Sequence, residues 1–396
     1  MKYVSLTKSL KGDFLFIFWN YNKLFVFLKI FAYTQIMPNS ATKIVVGLSG
    51  GVDSTAALIL LKQQGFEPLG VTLKLPVWSH PKNLCRNNIC CTPESLAIAQ
   101  EVCHKLKVPY FIVDAQSEFQ KYVLDYFLKE LKNGRTPNPC LICNHALKFK
   151  YLLQLAQKCH IPYVASGHYA RVRFNKKTGV FELLKGKDQK KDQSYFLSSL
   201  TQNQLAHLIL PLGTVKKQEV YKLVKDKGFH YFEKKKESQN FCFVSNQSLP
   251  LFLKESLGLQ PGPIIDTQGK VLGFHQGLYL YTIGQRKGIN LPQGPYYVQT
   301  RDLKTNTLIV TKKKKDLLKK EIILTPYHFI SEKIPQKKIK VQASIRYRQK
   351  LSSATLFPPR NKKIKIIFAK PQFAVTPGQF CVFYQREKCL GNGVIV

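Results

Sequence analysis

Short apolar runs alternate with helically spaced stretches through the first half of the chain. Lys43–Leu48 is apolar, too short for a buried helix, and reads as a buried strand. Ser49–Asp53 is turn-rich, and Ser54–Gln64 carries apolar residues at helical spacing until Gly65 stops it. Pro68–Leu75 repeats the strand pattern. Thr92-Pro93 supplies a capping hydroxyl and a proline at the first helical position, which predicts a helix to about Leu106. Tyr110–Asp114 is a third strand, helices follow near Glu118–Leu131 and Asn144–Cys159, and Tyr163–Ser166 is a fourth strand. Strands alternating with helices predict an α/β fold with a doubly wound parallel sheet. Ligands of such sheets sit beyond the C-terminal strand ends.

The pattern changes near residue 250. Gly and Pro punctuate strand-like runs at Pro261–Ile265, Lys270–Phe274, Tyr296–Thr300 and Thr307–Thr311, without helical periodicity. The lysines of Lys312–Lys315, with Lys319 and Lys320, read as a solvated linker. Alternation returns from Lys338 to Val396, as in Lys363–Phe368 and Gln379–Tyr384. The expected units are an N-terminal extension (1–42), a catalytic α/β domain (43–249), a small β module (250–315) and a C-terminal β-barrel (316–396). No repeat of solenoid period is present.

Residues 1–36 differ from the rest. They are rich in Phe, Tyr and Lys and carry one acid, Asp13. The runs Phe14–Trp19 and Leu24–Leu28 are split by Asn20, Asn22 and Lys23, which interrupts the roughly 20 apolar residues a membrane span needs. An organelle presequence is one reading; the preferred one takes Met37 as the functional start and the segment as dispensable. The expected location is cytoplasmic rather than mitochondrial, with no membrane partner.

At 44% hydrophobic residues the chain can bury a sizeable core. The 61 Lys plus Arg outnumber 23 Asp plus Glu, for a formal charge of +38. That excess fits a polyanionic partner, but an AT-rich genome would give the same lysines, so charge alone decides nothing. Ten cysteines in 396 residues are too sparse for a disulfide scaffold and point to a reducing compartment.

Chemistry enters at Ser49-Gly50-Gly51-Val52-Asp53-Ser54, between a predicted strand and a predicted helix. The glycines allow a tight turn whose N–H groups converge on an anion, and the helix N-terminus adds its dipole. Asp53 would repel a bare phosphate, so it is expected to hold Mg²⁺ or a hydroxyl. A plain strand-to-helix turn is the bland alternative. No Gly-Lys-Ser/Thr follows, so Walker-type kinase or GTPase chemistry loses its support. The string resembles the pyrophosphatase loop (PP-loop) of adenine nucleotide alpha hydrolase-like enzymes, which release AMP and pyrophosphate. That resemblance implies ATP and adenylation of a substrate carbonyl oxygen.

Arg135-Thr136-Pro137-Asn138-Pro139-Cys140-Leu141-Ile142-Cys143-Asn144 is the second informative stretch. Its prolines favour an extended loop, with Cys143 at the start of the next helix, where the dipole lowers a thiol pKa. Downstream, Cys242 lies between Phe241 and Phe243, after the basic Lys234–Lys236. Any one cysteine is more often a small buried hydrophobe. Further strings are Gly167-His168-Tyr169, Lys191-Asp192-Gln193-Ser194-Tyr195-Phe196, Gly273-Phe274-His275-Gln276-Gly277, Thr282-Ile283-Gly284-Gln285-Arg286-Lys287-Gly288, Arg346-Tyr347-Arg348 and Thr376-Pro377-Gly378-Gln379.

Together these strings resemble the tRNA-specific 2-thiouridylase family, from about Lys43 to the C-terminus. The resemblance implies Cys143 as nucleophile and Cys242 as persulfide carrier, charged by a sulfur-relay donor. It implies a nucleotide site at Gly47, Leu48, Ser49, Gly50, Gly51, Val52, Asp53, Ser54, Leu73 and Gly167. It also implies tRNA contacts at Asn138, Pro139, Cys140, His168, Lys191, Asp192, Gln193, Arg346, Tyr347 and Gln379. The implied substrate is the wobble uridine of tRNAs with Lys, Glu and Gln anticodons. Two orders of chemistry stay open: Cys143 frees sulfur from the persulfide, or the persulfide itself attacks the base. The chain departs from the family at Cys140, where some members have Asp, and at Asn240, where Asp is frequent.

Cys85, Cys90 and Cys91 fit no common zinc spacing and read as structural. Cys140, Cys143 and Cys242 could instead ligate an iron–sulfur cluster, which gives an iron–sulfur-dependent thiolase as an alternative. A small-molecule amidating ligase of the same fold would not need two reactive cysteines. A non-catalytic RNA-binding protein would not need the intact phosphate loop.

Overall fold

The computed structural model describes residues 42–83, 91–233 and 241–396. The expectations for the N-terminal extension, Met37, Cys85, Cys90, Lys234–Lys236 and Asn240 lie outside the described residues.

Among the described residues, one five-stranded sheet runs in the order Tyr110–Asp114, Glu67–Lys74, Lys43–Gly47, Tyr163–Ala165, Leu208–Ile209, with every pairing parallel. Alternation along the central strand sends Ile44 and Val46 to one core, with Leu58 of the helix Val52–Gln63. It sends Val45 to the other, with Leu152 of the helix Phe149–Lys158. Both faces are covered, as a doubly wound sheet requires. The strand order reverses between Lys43–Gly47 and Tyr163–Ala165. The crevice at that switch is therefore flanked by the loop after Gly47 and by Ser166–His168.

Two helical runs depart from the expected pattern. The helix expected from Asn144 begins at Pro139, because Asn138 caps it by accepting from the Cys140 N–H at 3.2 Å and proline suits the first helical position. The Pro-Asn-Pro string is thus half loop and half helix start. A π-helical stretch, Cys143–Lys148, follows at once, and another, Gln120–Leu124, interrupts the preceding helical run. Such stretches are rare and concentrate at functional sites. The helix Leu249–Leu257 also corrects the expectation that helices end near residue 250. It buries Phe252, Leu253 and Leu257 against Phe119 and Phe127.

A four-stranded sheet follows, in the order Tyr297–Asp302, Thr307–Thr311, Gly262–Ile265, Val271–His275. Next comes a closed barrel of Leu318–Phe329, Ile364–Phe373, Ser352–Leu356, Ile339–Ser344, Phe380–Gln385 and Lys388–Ile395, in spatial order. Pairings from Leu324↔Ile395 to Phe329↔Gly391 close it. Lys319 and Lys320 belong to its first strand rather than to a linker; their exposed side chains made them look like one. An unforeseen hairpin, Ala170–Asn175 with Val180–Lys185, extends the barrel sheet through Lys388↔Leu184 and Cys389↔Leu183. It stitches the α/β unit to the barrel. No described helix is long and apolar enough to cross a membrane.

Candidate active site

The loop after Gly47 is held on every side. Leu48 donates its N–H to Val71 O at 2.8 Å and accepts from Thr72 Oγ1 at 3.0 Å. Ser54 Oγ donates to Gly51 O at 2.9 Å and accepts from the Ser49 N–H at 3.2 Å. Gly50 has φ +65°, and a Cβ there would lie 2.1 Å from Ser95 O. A Cβ on Gly167 would lie 2.7 Å from the Asp53 carbonyl carbon and oxygen. Gly51 precedes Val52, the first residue of its helix, with no side-chain cap. The cradle is thus backbone with little side-chain bulk, open to an anion at a helix N-terminus. Leu73 lies on the neighbouring strand, where its carbonyl accepts from Cys91 Sγ at 3.1 Å. Cys91 also accepts from the Leu75 N–H and is buried, a structural thiol.

Asp53 is engaged. Tyr169 OH donates to its Oδ1 at 2.8 Å, and Lys217 Nζ lies 2.6 Å from the same atom. The expected hydroxyl is present, and the ammonium was not foreseen. Among the described residues no group of three or more His, Cys, Asp or Glu could hold a metal ion, so Cys140, Cys143 and Cys242 do not form a ligating triad. Asp53 is the one carboxylate of the loop and would be the residue to hold a Mg²⁺ there.

His168 follows at the strand end, half-buried, with its ring 5.8 Å from that of Phe149. Its Nδ1 pairs with Ser166 Oγ at 2.9 Å. Burial, with Lys148 nearby, lowers its pKa to about 3, so it stays neutral near pH 7.

The cysteine loop is gripped by all three units. Thr136 N–H donates to Pro377 O at 2.8 Å, and Gln379 Nε2 donates to Thr136 O at 2.8 Å, both from the barrel. Arg301 of the four-stranded sheet reaches Thr136 Oγ1 at 3.2 Å and Tyr281 O at 2.8 Å. Arg135 pairs with the nearly buried Glu130 through two hydrogen bonds. Cys143 directly follows the one-turn helix that Asn138 caps, as the first residue of the π-helical stretch, and is 4% exposed. It belongs to an aromatic core with Phe119, Phe127 and Phe243, and Cys242 packs against that same core, half-buried. The fold therefore gathers both cysteines, 99 positions apart, around one cluster, with neither in a disulfide. The Cys242 segment is anchored by Trp78 N–H donating to Phe243 O at 2.9 Å and by stacked Phe241 and Phe243.

The other residues expected at the RNA interface fall into two groups. Tyr347 packs tilted against Phe196, ring centroids 4.2 Å apart, with Arg348 over its ring at 5.5 Å, and Arg346 donates to Phe373 O at 3.0 Å. These lie beside Tyr195, whose hydroxyl donates to Phe380 O at 2.9 Å and also meets Asn138. Lys191 ends the turn after Val180–Lys185, and Asp192 and Gln193 lead into the helix Ser194–Leu197. Asp192 accepts from Gly186 N–H, Ser194 N–H and Ser194 Oγ, and burial raises its pKa. Gln193 Oε1 accepts from the Tyr169 N–H at 3.0 Å. Gln193 thereby holds the backbone of Tyr169, whose hydroxyl meets Asp53. Lys217, Tyr169 and Arg301 were missed, because only the fold brings them to their partners.

Three family descriptions match the chain in succession. The tRNA methyl transferase HUP domain covers residues 42–246, the tRNA methyl transferase PRC-barrel domain 251–312, and the Aminomethyltransferase beta-barrel domain 319–395. The tRNA-specific 2-thiouridylase MnmA of Vibrio cholerae is 39% identical over 366 residues, 90% of this chain and 97% of that protein. Its counterpart in Halothermothrix orenii is 40% identical over 357 residues, 89% of this chain and 98% of that protein. Among solved structures, the U34-tRNA thiolase NcsA from Methanococcus maripaludis overlaps at a TM-score of 0.31 with 20% identity, covering 55% of this chain and 64% of that one. A 4-thiouridine synthetase in complex with RNA and ATP overlaps at 0.32 with 16% identity, covering 55% and 50%.

Proposed function

The chain belongs to the tRNA-specific 2-thiouridylase family, and on that premise we propose that it replaces the 2-carbonyl oxygen of a wobble uridine with sulfur. It is a tRNA-uridine 2-sulfurtransferase acting on tRNAs with Lys, Glu and Gln anticodons, in the cytoplasm. ATP is its co-substrate, and a bound Mg²⁺ would neutralise phosphate charge beside Asp53.

The chemistry divides between the two halves of the site. The loop Ser49–Ser54 holds the triphosphate while the uridine O2 attacks the α-phosphorus and pyrophosphate departs. Adenylation turns a poor leaving group into AMP. Asn138, Pro139 and Cys140 border the base, and the Tyr347–Phe196 pair offers it an aromatic wall. Cys242 carries the persulfide, charged by a sulfur-relay protein. The Cys143 thiolate attacks Cys242 Sγ, which forms a Cys143–Cys242 disulfide and releases hydrosulfide. Hydrosulfide adds to C2 and AMP leaves. The outer sulfur is reduced as the two cysteines are oxidised, and an external thiol reductant restores them.

The observation that carries this reading is the shared aromatic core of Cys143 and Cys242 beside a capped loop. Mass analysis of tRNA nucleosides from a strain lacking the gene tests it. Loss of 2-thiouridine, restored by the wild-type gene, is the expected result. Unchanged 2-thiouridine would sink the reading.

A further inference from the structure

Lys217 opens the helix Lys217–Asp226, 164 positions beyond Asp53, yet its ammonium lies 2.6 Å from Asp53 Oδ1. The lysine side chain is 9% exposed and that of Asp53 36%. Withdrawing an ammonium from water is costly unless it is well paired. Here the pairing is reinforced. Tyr169 OH donates to the same carboxylate oxygen, and the rings of Tyr169 and Tyr221 flank the ammonium with centroids 5.8 and 5.0 Å away. Asp188 Oδ2 accepts the Lys217 backbone N–H at 3.0 Å, which fixes where the side chain starts.

The phosphate loop itself has no cationic side chain. Its one charged residue is Asp53, in the first turn of the helix whose N-terminus would receive an anion. A polyphosphate entering the cradle would meet that carboxylate at close range. P-loop enzymes place a lysine within the loop to meet phosphate oxygens. This loop has none, and a lysine from a distant helix is bonded to it instead.

We propose that Lys217 is the polyphosphate-binding cation of the site, neutralising Asp53 in the unliganded protein and engaging the β- and γ-phosphate oxygens of a nucleoside triphosphate. The inference rests on the ATP reading above. A divalent cation that takes Asp53 would free the ammonium for the phosphates, so the pair exchanges partners without leaving a charge buried alone.

Calorimetric titration in EDTA with adenosine, ATP and inorganic pyrophosphate tests this. Lys217→Met is expected to weaken ATP and pyrophosphate by about tenfold or more, the worth of a charged hydrogen bond, and adenosine by no more than about twofold. Lys217→Arg should recover most of the ATP loss. Asp53→Asn should tighten ATP in EDTA, and adding Lys217→Met should remove that gain. Where Lys217→Met alone fails to fold, the double variant, which removes both charges, still compares ATP with adenosine. Equal weakening for adenosine and ATP, or an unchanged ATP affinity, would overturn the assignment. Wild-type protein that binds neither ATP nor pyrophosphate would overturn the ATP reading itself, an outcome distinct from failure of the lysine alone.

Discussion

Gly50 shows how much one residue decides. Its φ of +65° and the 2.1 Å approach to Ser95 O leave no room for a Cβ. Gly50→Ala is expected to destabilise by more than about 1 kcal/mol, since left-handed backbone and a clash add. Urea unfolding measures it, and a midpoint equal to wild type would contradict the tight cradle. The turn at the glycines and the capped start before Cys143 were readable from sequence because their signals are local. Lys217 was not readable, because its meaning lies in Asp53, far away in the chain. Asp192 and Gln193 were recognised by their motif, but the motif does not reveal that both side chains accept hydrogen bonds within the protein.

At the scale of elements, most strands of the parallel sheet fell where the apolar runs put them, because strands buried on both faces are continuously apolar. The hairpin Ala170–Asn175 with Val180–Lys185 escaped, since its role depends on pairing with Lys388–Ile395. Glu182 anchors that junction, 3% exposed, bonded to Arg173, Asn175 and Lys388. Burial pushes its pKa up, but those bonds outweigh it and bring it from 4.5 down to about 2. A depressed carboxylate stabilises above its unfolded pKa and loses that contribution as pH falls through the folded one. Stability from the junction should therefore be full above about pH 4.5 and decline towards pH 2. Glu182→Gln should flatten the acid limb of a urea-midpoint profile over that window. An unchanged profile would mean that the junction is not held by this charge.

At the scale of the whole molecule, three units converge on the residues around Thr136, and the separation into α/β, small β and barrel parts was visible as changes of period. Their convergence was not, because bonds such as Gln379 to Thr136 join distant segments. The chain's formal charge of +38 predicts steeply salt-dependent tRNA binding. Lys191→Ala and Arg346→Ala should each weaken binding and lower the log–log salt slope by about one for each phosphate that is no longer neutralised. Unchanged affinity in both would mean that these side chains do not meet RNA. The sulfur relay between Cys143 and Cys242 remains the central claim, and a reconstituted assay tests it most directly. Purified protein, tRNA, ATP and a sulfur donor would be incubated, and 2-thiouridine and cysteine peptides measured by mass spectrometry. Wild type should form 2-thiouridine, carry the persulfide on Cys242 and accumulate a Cys143–Cys242 disulfide when reductant is withheld. Cys143→Ser and Cys242→Ser should each abolish product, and Cys140→Ser should retain part of it. Loss of activity in Cys140→Ser equal to that in the other two, with no persulfide on Cys242, would contradict the relay.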